Sequence, residues 1–182
     1  AFSPVFAIDL VTRCLNNSAK TGLKAVEQNL NRLHLIDSST ISLSLTRYPW
    51  AEFRGTKSGI KLHLRVRVLE KGVLPDEVVI TPAKPADRTQ MDALVAEDPN
   101  AINVFDRGYI DYSKFDIYCE KGIRFVTRSK ENAVINVVSE QPVKDGSSIK
   151  RDCTVILGRG TKCMKHDLRL IETEDTKAIP LS

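Results

Sequence analysis

The stretch Ala101-Ile102-Asn103-Val104-Phe105-Asp106-Arg107-Gly108 decides how the fold is read. Ala101 to Phe105 is a short apolar run that stops at a turn-forming Asp-Arg-Gly, the pattern of a strand buried in a parallel sheet. Before it, Asp87 can cap a helix reaching about Ala96, with Met91, Leu94 and Val95 facing inward. After it, Asp111 can cap a helix to about Glu120, and Gly122 follows as a C-cap. A strand between helices predicts an α/β sheet, in which ligands bind at the carboxyl ends of strands. Asp106 falls at such an end, and Gly108 lets the chain turn away from its carboxylate. A plain Asp-Arg-Gly turn is the competing reading.

Working outward towards the N-terminus, Val5–Leu15 and Ala19–Leu33 have helical spacing. A strand follows, in which Leu35, Asp37, Ser39, Ile41, Leu43 and Leu45 share a face. Asp37 breaks a local rule there, because Asp is disfavoured inside strands and such violations gather at functional sites. Alternatively, Asp37 ends the strand and caps a turn with Ser38-Ser39-Thr40. Ile60–Leu69 alternates apolar Leu62, Leu64, Val66 and Val68 with Lys61, His63, Arg65 and Arg67, which predicts a half-buried antiparallel strand in a hairpin running to Thr81. From Ile123 onward the chain reads as β, with strands near 123–127, 133–138, 153–157 and 168–172.

Composition narrows the function classes. An apolar fraction of 42% and a charged fraction of 27% describe an ordinary folded chain rather than a disordered one. The net charge of +4 favours nucleic acid only slightly. No apolar run is long enough to span a membrane. Ala1-Phe2-Ser3-Pro4 has no signal-peptide pattern, and a first residue other than Met suggests a fragment. Cys14, Cys119, Cys153 and Cys163 form no CxxC pair, so Cys163-x-x-His166 makes a poor zinc site and the expectation is reduced thiols in the cytoplasm. There is no P-loop, no GxGxxG and no Ser-His-Asp order. Asp37 and Asp106 together suit magnesium, a hard cation that prefers carboxylate oxygens. Paired ions of this kind serve phosphoryl transfer.

The motifs around these acids resemble a known family. Leu35-Ile36-Asp37-Ser38-Ser39-Thr40 is similar to the first-aspartate motif of DDE transposases of the insertion-sequence type. Tyr48-Pro49-Trp50-Ala51-Glu52-Phe53-Arg54-Gly55-Thr56-Lys57-Ser58-Gly59-Ile60-Lys61-Leu62-His63 resembles the stretch just C-terminal to that motif in the insertion-sequence-four group. Val104-Phe105-Asp106-Arg107-Gly108-Tyr109 resembles the second-aspartate motif, and Phe125-Val126-Thr127-Arg128 the segment beyond. The four motifs run in family order over about Leu33 to Asn132.

The resemblance implies an α/β, ribonuclease H-like mixed sheet flanked by helices, with a β-rich insertion at the C-terminal end. The core would occupy 1–122 and the insertion 123–182. Asp37 and Asp106 would be catalytic and would bind two Mg2+ or Mn2+ ions together with a Glu that the family carries on a later helix. That Glu motif is absent here, and neither Glu172 nor Glu174 has its context. The implied activity is metal-dependent strand cleavage and strand transfer in cut-and-paste transposition, on double-stranded DNA at element ends and target, by a nucleoid-associated homodimer. Lys57, Lys61, His63, Arg65, Arg107, Arg128 and Lys130 would contact DNA, with Arg54 and Arg124 as further phosphate contacts. Trp50 either stacks on a base or packs against the hairpin. Other readings are a DNA-binding or oligomerisation module that lacks activity without the third acid, and a related metal-dependent nuclease.

Overall fold

A computed structural model of the chain describes residues 30–55, 57–69 and 72–173. The helix expected at Val5–Leu15 lies outside these residues, as does most of the one expected at Ala19–Leu33. Leu33 itself already belongs to a strand, because it pairs with Ile102.

The described residues divide into two compact units, those up to 111 with 121–129, and 112–120 with those from 130 onward. In the first, β1 (Leu33–Leu43), β2 (Glu52–Arg54), β3 (Lys57–Leu69), β4 (Gly72–Pro82), β5 (Ile102–Phe105) and β6 (Arg124–Thr127) form one mixed sheet. β3 lies antiparallel between β1 on one side and β2 and β4 on the other. β5 runs parallel to β1, and β6 parallel to β5. This is the ribonuclease H-like mixed α/β arrangement. The strand Arg124–Thr127, just past residue 122, extends this first sheet.

β1 shows how apolar patterning sets burial. His34, Leu35 and Ile36 are buried in succession, so both faces of the strand are covered there. Leu30, Leu35 and Val68 form a core cluster, against which Leu33, Val66 and Val104 pack. Each such side chain contributes about 1.5–3 kcal/mol by leaving water. Beyond Asp37 the sequence turns to Ser and Thr, and residues 39–42 are exposed. The strand continues through Asp37 to Leu43, so Asp37 does not end it.

The expected hairpin of β3 and β4 is present, with a bulge that leaves Asp76 between Glu77, opposite Arg65, and Pro75, opposite Val66. β4 pairs only with β3 among the described residues, and Val73, Leu74, Val78 and Ile80 on it are exposed. The helix expected from Asp87 is shorter than its pattern suggested. A 3-10 turn, Asp87–Gln90, runs into a single α-helical turn, α1 (Met91–Leu94). Met91 and Leu94 are fully buried, but Asp87 is not the cap; Ala86 holds that position.

In the second unit, α2 (Tyr112–Glu120) accompanies a three-stranded antiparallel sheet of β7 (Ile135–Glu140), β8 (Ile149–Leu157) and β9 (Leu168–Thr173). Cys153, Val155 and Met164 are buried. Asp116 on α2 accepts hydrogen bonds from the backbone N–H groups of Lys165 (2.9 Å) and His166 (3.0 Å). The second sheet of the chain lies in this unit.

Candidate active site

The parallel register of β1 and β5 builds the site. The ladder pairs Leu33 with Ile102 and ends at Ile36 with Phe105. Asp37 and Asp106 are the next residues on the two neighbours, and parallel strands lie about 4.8 Å apart. The strands differ at this point. β1 continues, with Asp37 opposite Leu64 of β3, whereas β5 stops and a 3-10 turn, Arg107–Tyr109, begins. The Tyr109 N–H closes that turn on the Asp106 carbonyl at 3.0 Å. The Asp106 carboxylate does not cap the turn, as a purely local Asp-Arg-Gly role would have it do. It instead accepts a hydrogen bond from Arg128 Nη2 at 3.3 Å.

Burial raises the Asp37 carboxyl above the ordinary carboxylate range, against the opposing Ser38 N–H, and the charges of Asp106 and Asp87 raise it further. Asp87 therefore belongs to the same electrostatic neighbourhood, although nothing in its sequence context marked it. Lys61 Nζ holds it at 2.8 Å, and a Cβ on Gly108 would lie 3.4 Å from its Oδ2.

Beneath the acids lies a buried polar cluster. His63 and Tyr109 are each only 1% exposed. His63 Nδ1 is 3.2 Å from the Tyr109 hydroxyl, and Nε2 is 3.1 Å from Thr81 Oγ1. Burial pushes the His63 pKa down; the nearby Asp87 opposes this and Lys61 reinforces it. Burial likewise pushes the Tyr109 phenol up, countered by a hydrogen bond from the Ser38 side chain and reinforced by Asp87, Asp37 and Asp106.

The polar face of β3 is not the open face its alternation predicted. Lys61 is tied to Asp87 and to the Pro85 carbonyl. Arg65 is tied to Asp76 at 2.9 Å and to the Leu94 carbonyl at 2.9 Å. Pro85, Asp87 and Leu94 thus hold the cations of this face, and His63 between them is 1% exposed. Arg124 donates to the Pro99 carbonyl. Lys57 and Arg107 are exposed, Arg128 is about half exposed beside Asp106, and Lys130 is exposed in the second unit. Trp50 is 65% exposed, so it does not pack into the hairpin.

Two carboxylates at adjacent strand positions, one partly desolvated, supply the hard oxygen donors that a divalent cation such as magnesium prefers. Among the described residues no group of three or more His, Cys, Asp or Glu side chains is placed to hold a metal ion. Glu172 lies on β9 with its carboxylate 3.5 Å from Arg151, and Glu174 lies outside the described residues. His166, half of the weak Cys-His pattern, hydrogen-bonds Asp116 instead. No helix among the described residues is long and apolar enough to cross a membrane.

Two acids thus lie one residue past the last pair of two parallel neighbours in a mixed sheet. Comparison with known sequences then gives the family. The family model described as "Transposase DDE domain" matches residues 29–180, and the chain belongs to that family. A "Probable transposase for insertion sequence element IS5377" from Geobacillus stearothermophilus is 30% identical over 128 residues, covering 69% of this chain and 33% of the relative. A "Putative transposase y4zB" from Sinorhizobium fredii (strain NBRC 101917 / NGR234) is 33% identical over 129 residues, covering 69% and 35%. The chain spans about a third of the length of these curated relatives.

Proposed function

We propose that this chain is the part of a DDE transposase core, of the insertion-sequence-four type, that carries the first two acids, and that the whole protein cuts and rejoins DNA. The observation that carries this reading is the β1–β5 register, which makes Asp37 and Asp106 neighbours. Asp37 and Asp106 would hold Mg2+ or Mn2+, which when bound supplies charge neutralisation at the reacting phosphodiester. The hydrolytic step forms a bond from a water oxygen to phosphorus and breaks the bond from phosphorus to the 3′ oxygen, which leaves as a hydroxyl. In strand transfer that hydroxyl attacks a second phosphodiester, and its 3′ oxygen leaves in turn. Lys57, Arg107, Arg128 and Lys130 are the exposed cations proposed to contact the phosphates of double-stranded DNA, with Trp50 free to stack on a base. The protein would act on element ends and target as a homodimer at the nucleoid.

The test uses Asp37→Asn in the whole protein with DNA carrying an element end. Strand cleavage should be lost and DNA binding kept; cleavage at the unsubstituted rate would overturn the assignment.

A second reading is supported by the two-acid site: this chain by itself binds DNA without cutting it, as a DNA-binding or oligomerisation module. Incubating the chain with Mg2+ and end-containing DNA separates the readings. A shifted but intact duplex supports the module, and nicked product removes it. Nicking without strand-transfer product by the whole protein would point to a related nuclease.

A further inference from the structure

A chain of polar side chains joins three pieces of the first unit, Thr81 on β4, His63 on β3 and Tyr109 in the turn after β5, with Ser38 of β1 opposite His63 in the β1–β3 ladder. It is an unusual use of core volume. His63 and Tyr109 are almost wholly buried. A leucine and a phenylalanine would fill such space without the cost of desolvating an imidazole and a phenol. Both imidazole nitrogens have hydroxyl partners, so the neutral ring donates from one and accepts at the other.

Tyr109 is also tied to the second acid through its backbone, because its N–H closes the turn on the Asp106 carbonyl. Its ring meets Phe105 at a centroid distance of 6.3 Å and the His63 ring edge-on at 6.4 Å. The residue that closes the turn after one acid therefore has its hydroxyl bonded to His63, whose partner across the β1–β3 ladder, Ser38, is next to the other acid.

We propose that Tyr109 is a positioning residue for the acid pair: its hydroxyl, held by His63, locks the Asp106–Tyr109 turn onto β3 opposite Ser38 and keeps the Asp106 carboxylate beside that of Asp37. This rests on the reading of Asp37 and Asp106 as the metal-binding pair. His63 acts one step further back. It is bonded to Thr81 and orients the phenol, and it touches neither acid.

The experiment uses the whole chain and three substitutions. Tyr109→Phe keeps the ring and removes only the hydroxyl. His63→Gln keeps a side chain able to hydrogen-bond, and His63→Ala does not. Mn2+ affinity is measured by calorimetry, and backbone amide exchange is followed by mass spectrometry. Tyr109→Phe should weaken Mn2+ binding and quicken exchange of the 107–109 amides, each by about tenfold, the effect of losing one buried hydrogen bond. The amides of Val66 and Val104 should stay protected. His63→Ala should behave like Tyr109→Phe, with His63→Gln restoring most of the loss. Unsubstituted Mn2+ affinity together with unchanged exchange at 107–109 in Tyr109→Phe would overturn the proposal. Uniformly faster exchange across the sheet would also overturn it, since Tyr109 would then be only a core residue. If Mn2+ binding survives Asp37→Asn combined with Asp106→Asn, the metal reading of the pair fails instead, and the exchange rates still decide whether Tyr109 locks the turn.

Discussion

Asp37 and Asp106 occupy equivalent positions on two parallel neighbours, each one residue past Ile36 and Phe105, the final pair of the β1–β5 ladder. Half-burial and the nearby charges of Asp106 and Asp87 make the ionised Asp37 costly to the fold. Its folded pKa is raised, so the cost is fully present above that value and disappears as the pH falls through it towards the ordinary carboxylate range. Asp37→Asn should therefore raise the melting temperature at pH 7 in the presence of a chelator. The rise is small, roughly 1–3 °C, because solvent screens a half-buried group. A lower melting temperature would mean that the carboxylate supports the fold.

His34 and His63 have the opposite dependence. Burial lowers both pKa values below 6.5. The unfolded chain then binds more protons than the folded one in the window below about pH 6.5, so stability is full above it and declines as the pH falls. Thermal unfolding followed from pH 7.5 to 5.5 should show a falling midpoint. The slope should flatten in His34→Gln combined with His63→Gln, and an unchanged slope would show that neither imidazole is kept neutral by the fold.

Asn103 is fully buried in β5 and serves as a clasp. Its Oδ1 accepts from the Ala96 N–H at 2.8 Å, and its Nδ2 donates to the Ala96 carbonyl at 3.0 Å and the Arg124 carbonyl at 3.2 Å. Asn103→Leu keeps the volume but leaves these backbone groups without their partner, at a cost of about 2–3 kcal/mol. Urea unfolding should show that loss. A loss under about 0.5 kcal/mol, the range of ordinary surface changes, would mean that other groups replace the clasp.

Gly158 should be among the least replaceable residues of the second unit. Its φ is 105°, and a Cβ there would lie 2.2 Å from the Lys162 carbonyl oxygen. Its own N–H donates to the Val134 carbonyl, and its carbonyl accepts from Asn136. Gly158→Ala must move backbone, at a cost on the order of 2–4 kcal/mol. Proteolysis within 130–173 should quicken, with Val66 in the first sheet keeping its amide protection.

Much of this was legible in the sequence because it depends on local pattern. Ile102–Phe105 is a strand where its apolar run ends at Asp-Arg-Gly, and the Leu62–Val68 alternation lies on a strand of a hairpin. Distant partners were not legible. Lys61, His63 and Arg65 alternate as a solvated face would, and only the packing of Pro85–Leu94 shows them to be internal ties. Asp87 looked like a helix cap because its bond to Lys61 spans 26 positions. Trp50, which could have stacked or packed, is exposed, and nothing in its neighbours' spacing reports whether a core lies beside them. Asn103, inside an apolar run, was the one local irregularity that could have marked a buried polar clasp.

The bulge at Asp76 has a consequence for the chain in solution. β4 offers exposed Val73, Leu74, Val78 and Ile80 on a strand with one partner among the described residues, a shape that invites a second molecule to add its own strand. Pro75 supplies no N–H to such a partner, and the neighbouring bulge bends the row of donors out of line. Pro75→Ala should thus leave the chain's fold intact and make it associate further through β4, seen as scattered light that rises with concentration. On this account the proline beside Asp76 keeps the hairpin from pairing with copies of itself.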